Sequence, residues 1–312
     1  MASGGMRQQI VELIAGLETL PTLPAVVTLL NKKLAAPGAK AADIARIIED
    51  DPPLTSRVLR LLQSPVYAPL YNRQKTTVVG STTQVKQRST LQQAVVRMGI
   101  NAVRDLVLTT SVLQALPGGG DDVSFDRTKF WKHSISCGLV AATLMQFMRE
   151  KISNEQTEVM LAGLCHDLGK VILDQYFAEQ FSDILRQAKR EGRLMYEVEQ
   201  ELLHIEHGEV GGFLAERWEL PASIRAAMSY HHRVDLLPPA LSEHAPLVHV
   251  IKLADYITNH QNLGFSGNYR GLDFPRASFA ELRLATTDIP EIIKRVREEA
   301  EKSEVLLALE QQ

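Results

Sequence analysis

Apolar residues recur at three- and four-residue intervals along most of the chain, the spacing that gathers them on one face of a helix. In RQQIVELIAGLETL they fall at Ile10, Leu13, Ile14 and Leu17. AVVTLLNKKLAAPG predicts a second helix closed by Pro37-Gly38, and ADIARIIEDD a third with Ile44, Ile47 and Ile48 on one face. Asp51 followed by Pro52 reads as an N-cap and first helical position. It opens a fourth helix whose stripe is Leu54, Val58, Leu61 and Leu62. Residues 72–89, NRQKTTVVGSTTQVKQRS, have no helical period and predict a long loop, with room for a short hairpin around Gly80. Helix returns in TLQQAVVRMGINAVRDLVLTTSVLQAL, with Gly99 ending one segment and Asn101 starting the next. PGGGDD, residues 117–122, is the clearest linker. It separates an N-terminal helical subdomain, residues 1–117, from a second subdomain, residues 118–312.

Beyond the linker the pattern changes. FWKHSISCGLVAATLMQFMRE is a helix apolar on most faces, and it carries His133. Asn154 reads as the N-cap of the next helix, which runs through VMLAGLCHDLGK to His166 and Asp167, with Gly169 expected to give a sharp C-terminal exit. YFAEQFSDILRQAKREG is amphipathic through Phe177, Phe181, Ile184 and Leu185 and ends at Gly192. MYEVEQELLHIEHGEVGGFLAERWELP contains His204 and His207 and stops at Pro221; ASIRAAMSYHH ends in His231 and His232; PLVHVIKLADYITNH carries Asp255. FSGNYRGLDFP is a glycine-containing loop, and a charged helix closes the chain. With no strand pattern and no repeat, the fold class is all-α.

Composition narrows the classes of function. The chain has 312 residues, with 34 basic and 37 acidic side chains and a formal charge of −3. That balance gives no support for a nucleic-acid or anionic-membrane surface. Two cysteines, Cys137 and Cys165, exclude a disulfide scaffold and read as buried reduced thiols. No apolar run approaches the roughly 20 residues that span a bilayer, and MASGGMRQQIVELIAGLETLP lacks the pattern of a signal peptide. A cytoplasmic location is the resulting expectation, with Met1 to Gly5 as a flexible start.

The chemistry concentrates at His166-Asp167. Two strong ligands at the end of an apolar run are costly to bury unless something neutralises them, and a metal ion does that. Further candidates are His133, His207, His231, His232 and Asp255. Imidazole and carboxylate without thiolate suit iron, manganese, nickel or zinc and argue against a cysteine cage. Each histidine alone is more often a satisfied core residue. Adjacent helical residues point about 100° apart, so His231 and His232 stay alternatives, one a ligand and the other behind it. His204, one turn before His207, is the substitute if the register differs; His249 and His260 read as peripheral and His244 as solvated. Lys170 either reaches a phosphate oxygen as a point charge or complements a helix end.

His133, His166-Asp167 and Asp255, in that order on helices, resemble the signature of the HD superfamily of metal-dependent phosphohydrolases. WKHS, LAGLCHDLGK and IKLADYITN match its ligand helices, and His207 with His231-His232 is similar to the extended set of the HD-GYP branch. LPTLPAVVTLLNKKL, IARIIEDDPPLTSRVLRLLQS, LQQAVVRMGINAVRDLVL, FWKHS and EHGEVGGFLAERWELPASIRAAMSYHH, over roughly residues 17–260, resemble the HDOD family, the HD-related output domain of bacterial signalling proteins. The resemblance implies a helical bundle of the HD type. It also implies two divalent ions, iron ahead of manganese, nickel or zinc. One would be held by His133, His166, Asp167 and Asp255, the other by Asp167, His207 and one or both of His231 and His232. Asp167 and Lys170 would then be the catalytic pair. The GYP tripeptide is replaced by HHRVDLLPPALSEH, and Lys129 stands where three-metal members carry glutamate. Two ions are therefore expected rather than three, and cyclic-di-GMP is not the expected substrate.

Three functions compete: a regulatory protein with a dinuclear metal site, an active phosphohydrolase on a nucleotide or other phosphate ester, and a metal-free interaction scaffold. The expected partners are a signalling protein or a phosphate-containing small molecule, with no nucleic acid, no membrane, and room for a homodimer.

Overall fold

The computed structural model describes residues 3–16, 21–36, 38–72, 91–116 and 125–310. Residues 73–89 of the expected loop and the 117–122 linker lie outside the described residues, as do Met1 and Ala2 of the expected flexible start. Among the described residues every regular element is a helix, as the periodicity predicts. The chain forms two compact units, one of Met1–Thr22 and Leu116–Ser303, the other of Leu23–Ala115 and Glu304–Gln312. Helix α1 (Ser3–Gly16) opens the chain within the first of these.

The smaller unit contains α2 (Ala25–Ala35), α3 (Ala41–Glu49), α4 (Pro52–Gln63), α5 (Ala68–Asn72), α6 (Leu91–Met98) and α7 (Ile100–Ala115). Its helices are short and amphipathic. Asp51 caps α4 as expected, its Oδ1 accepting the Leu54 N–H at 3.0 Å, a contact of the kind worth ~1 kcal/mol. The predicted stripe Leu54, Val58, Leu61 and Leu62 is buried, and Ile44 and Ile48 of α3 are buried with it. Gly99 sits at φ +93°, a conformation open to glycine, and separates α6 from α7. Helix α7 packs on α2, α4 and α6.

The larger unit adds α8 (Arg127–Leu144), α9 (Gln156–Cys165), α10 (Leu168–Tyr176), α11 (Ala178–Glu191), α12 (Met195–Leu203), α13 (His207–Arg217), α14 (Ala222–Tyr230), α15 (Ala245–His260), α16 (Arg276–Glu281) and the part of α17 (Ile289–Glu310) up to Ser303. Helices α8, α9 and α15 pack on one another, α10 packs on α13, and α13 on α14. Helix α1 lies against α13, with Arg7 2.9 Å from Glu209. Helices α8 and α9 are buried almost all round, as their lack of a polar face predicts. Their backbones touch: a Cβ on Gly163 would lie 2.5 Å from the Gly138 Cα.

Three local expectations are corrected. Gly169 does not end a helix. Helix α9 stops at Cys165, α10 restarts at Leu168, and Gly169 lies in the first turn of α10. A Cβ there would come within 1.9 Å of the His207 carbonyl oxygen, so the glycine serves close approach between α10 and α13. Asn154 does not cap α9. Glu155 precedes the helix, and the Asn154 amide instead donates to Glu158 Oε1 at 3.0 Å. Lys170 is not at a helix C-terminus but in the first turn of α10, where a positive charge opposes the helix dipole. Gly192 closes α11 in the left-handed region, as expected. Among the described residues no helix is long and apolar enough to cross a membrane.

Candidate metal centre

The fold brings together all seven candidate ligands. His133 projects from α8, His166 and Asp167 occupy the junction between α9 and α10, His207 begins α13, and Asp255 lies on α15. His231 and His232 follow the end of α14 at Tyr230. Both rings enter the cluster, His231 from the helical C-cap position and His232 just beyond it.

The cluster has two sides that meet at Asp167. On one, His133, His166 and Asp167 each offer a ligand atom, all within 4.8 Å of one another. Asp167 Oδ2 lies 3.4 Å from His166 Nε2 and 3.8 Å from His133 Nε2. Asp255 Oδ1 joins them, 3.2 Å from His133 Nε2 and 3.7 Å from His166 Nε2. On the other side Asp167, His207, His231 and His232 form a second such group. Here Asp167 Oδ1 lies 3.1 Å from His207 Nε2 and 3.6 Å from His231 Nε2, and His232 Nε2 is 3.0 Å from His207 Nε2.

The outward nitrogens are fixed. His166 Nδ1 is 2.7 Å from the Gly163 carbonyl, and His231 Nδ1 is 3.0 Å from that of Met228. His207 Nδ1 is 2.6 Å from Glu199 Oε2. A carbonyl or carboxylate only accepts, so these nitrogens donate, and in each ring Nε2 is the nitrogen that faces inward. Asn259 holds Asp255 from behind, its amide donating to Oδ1 at 2.6 Å. Tyr196 stacks on His232 with ring centroids 4.5 Å apart, and Lys252 donates to the His232 carbonyl at 2.7 Å.

Electrostatics mark the cluster as a place that demands positive charge. Burial pushes the Asp167 carboxyl up, but His166 and Lys170 outweigh it and hold its pKa well below the usual carboxylate range. Asp255 is likewise buried yet held well below that range by the His133 and His166 rings. His166 is raised well above its ordinary value, the Asp167 charge overcoming burial. Burial lowers His207, but the Glu199 charge lifts it to about 9. His231 is pushed down to about 4, chiefly by burial, and His232 is held low by burial and its imidazole neighbours. Several atoms stay unsatisfied: His133 Nε2, His166 Nε2, His231 Nε2 and Asp167 Oδ1 are buried with no hydrogen-bond partner. Buried polar atoms are rarely left so. Inward lone pairs and unpartnered carboxylate oxygen are the donor set that a divalent cation satisfies, so the residues fit a metal ion.

Lys170, expected near a phosphate, is 1% exposed, with Nζ 2.7 Å from Asp167 Oδ2. The remaining histidines stay out of the cluster. His204 closes α12 at φ +56°, His249 contacts Ser278 Oγ at 2.9 Å, His260 stacks on Tyr256, and His244 lies 3.9 Å from Glu243. A cleft of about 230 Å³ opens on His232 and Asp255 and is walled by Tyr196, Lys252, Tyr256 and Phe274. Glu199, Asn259 and Lys252 escaped the sequence reading. Each is an ordinary polar residue on a helix, and only the fold shows what it holds.

A family model, the HDOD domain, matches residues 20–234. A curated but uncharacterized protein of Treponema pallidum is 22% identical over 242 residues, 77% of this chain and 42% of that protein. The chain thus spans about two fifths of that relative's length. Among solved structures, an HDOD domain protein of unknown function from Geobacter sulfurreducens aligns with TM-score 0.65 at 24% identity, over 95% of this chain and 98% of that one. A protein from Marinobacter aquaeolei provisionally named for signal transduction aligns with TM-score 0.70 at 22% identity, over 100% of this chain and 67% of that one. At such identities these structures speak to the fold alone.

Proposed function

The chain belongs to the HDOD domain family, and on that premise we propose that it is a regulatory, signal-transducing protein built around a dinuclear metal centre. The observation that carries the reading is the two-sidedness of Asp167: Oδ2 faces His133 and His166, and Oδ1 faces His207 and His231. One ion would be held by His133, His166, Asp167 and Asp255, the other by Asp167, His207, His231 and His232. Iron, manganese, nickel and zinc all suit a set of imidazole and carboxylate without thiolate, and iron is put first on the resemblance to the HD superfamily. Bound ions of this kind polarise phosphoryl oxygens and acidify water.

The protein's own residues do the remaining work. Lys170, locked on Asp167 Oδ2, offsets the carboxylate's charge inside the apolar interior and fixes which oxygen faces which histidines. Asn259 orients Asp255, and Lys252 ties down the His232 backbone. Tyr196, Tyr256 and Phe274 wall the cleft through which a small ligand would reach the cluster. A phosphate-containing small molecule fits the cationic Lys252 beside the metal positions, and its binding is the signal that would be passed to a protein partner.

A second reading, a metal-dependent phosphohydrolase, rests on the same cleft, since it gives a small molecule access to both His232 and Asp255. Metal analysis of the purified protein tests the common ground. The expected result is close to two ions per chain, falling to none in Asp167→Ala. A chain that binds no iron, manganese, nickel or zinc would leave only the scaffold reading. Turnover of a phosphodiester panel by the metal-loaded protein, abolished in Asp167→Ala, would favour the phosphohydrolase.

A further inference from the structure

We infer that Glu199 is the positioning residue that fixes the proton of His207 and so decides whether the second metal position is filled. The inference rests on the dinuclear reading above and concerns a residue outside the ligand set. Glu199 lies on α12, eight residues before His207, and is 0% exposed. One oxygen, Oε2, accepts twice from the same residue: from the His207 backbone N–H at 2.8 Å and from its Nδ1 at 2.6 Å. The other, Oε1, is buried with no hydrogen-bond partner. A buried carboxylate with one idle oxygen is an expensive way to cap a helix, since a serine or asparagine at the N-cap satisfies the same N–H without a buried charge. What the carboxylate adds is strict acceptance. It has no proton to offer, so Nδ1 must carry one, and Nε2, 3.1 Å from Asp167 Oδ1, is the nitrogen left to take an ion in place of a proton.

The other rings of the cluster are set differently. His166 and His231 donate to backbone carbonyls. A carbonyl is equally strict, but it is neutral and cannot be removed by substitution. Of these three rings His207 is the one that depends on a side chain, and it depends on one that carries charge. The tautomer of a metal-bound imidazole is set by the hydrogen bond on its other nitrogen, and loss of such an outer partner typically weakens metal binding.

Glu199→Leu is the decisive variant because it fills much of the same space while removing the acceptor. A Gln carbonyl in the place of Oε2 would still accept from both His207 nitrogens, whereas Leu accepts from neither. The ring is then free to carry its proton on Nε2, where it blocks the ion. The expected result is a fall from two ions per chain toward one, with about 10- to 100-fold weaker affinity for the ion that is lost. Glu199→Asp, which keeps an acceptor, is expected to restore part of the second occupancy. The wild type supplies an independent reading that needs no variant to fold: in the zinc-loaded protein with ¹⁵N-labelled histidine, His207 should show a protonated Nδ1 and a metal-shifted Nε2. Two ions retained by Glu199→Leu at wild-type affinity, or a His207 protonated at Nε2 and not at Nδ1 in the zinc-loaded wild type, would overturn the inference while leaving the dinuclear reading intact. A wild type that binds no metal would overturn the dinuclear reading itself, and the inference with it.

Discussion

In the smaller unit, helices meet through side chains: Ile44 and Ile48 of α3 and Leu54, Val58, Leu61 and Leu62 of α4 are buried as stripes with polar residues on the far face. In the larger unit, the helices that carry the candidate ligands meet through missing side chains. Gly138 and Gly163 let α8 touch α9, and Gly169 lets α10 reach the His207 carbonyl. The contrast reflects what each packing must accomplish. A stripe needs only enough apolar volume in roughly the right place, and it tolerates exchange. Imidazoles and carboxylates from five segments can converge within bonding distance of one ion only if the backbones that hold them come closer than side chains would permit.

Substitutions can break or sharpen that contrast. The largest effect is expected at Gly169→Ala, where the added methyl would meet backbone at 1.9 Å. The loss should be ~3 kcal/mol or more, the upper end of overpacking, with His207 displaced and metal content reduced. Urea unfolding that shifts by under about 1 kcal/mol would show that α10 and α13 can separate freely, and the contrast would fail. A smaller loss is expected for Ile48→Val in the buried stripe of α3, about 0.5–1.5 kcal/mol, with metal content unchanged. A drop in metal content there would mean that the smaller unit helps build the site. The mildest is Asp51→Ala, which removes the cap on α4 and should cost ~1 kcal/mol in the same unfolding measurement.

The two kinds of packing also explain what could be read in advance. Stripes are periodic, so α3 and α4 and the Asp51 cap were legible from spacing alone. Gly192 was legible too, because a helix end is a local event. Gly169 was misread because its reason for being glycine lies 38 residues later, at His207. The helix-end alternative for Lys170 fails because the break between α9 and α10 falls at the candidate pair itself, where no proline or capping side chain announces it. Spacing alone does not rank His231 and His232, because the turn that follows the C-cap His231 is set in three dimensions. Glu199 carries no signal at all in a segment with several glutamates. The candidate ligands are visible through family resemblance, whereas the residues that orient them are visible only in three dimensions.

The hydrogen bonds behind His166 and His231 reach back only three residues, to Gly163 and Met228. Contacts that short form as soon as the helical turn forms, on the timescale of helix growth and before distant segments meet. Those two rings are therefore aimed by the chain's own local geometry, early and at little entropic expense. His207 is aimed only after α12 and α13 have both formed and the chain between them has turned back on itself. The cage is thus assembled in sequence, with two of its corners set first and a third waiting on tertiary structure.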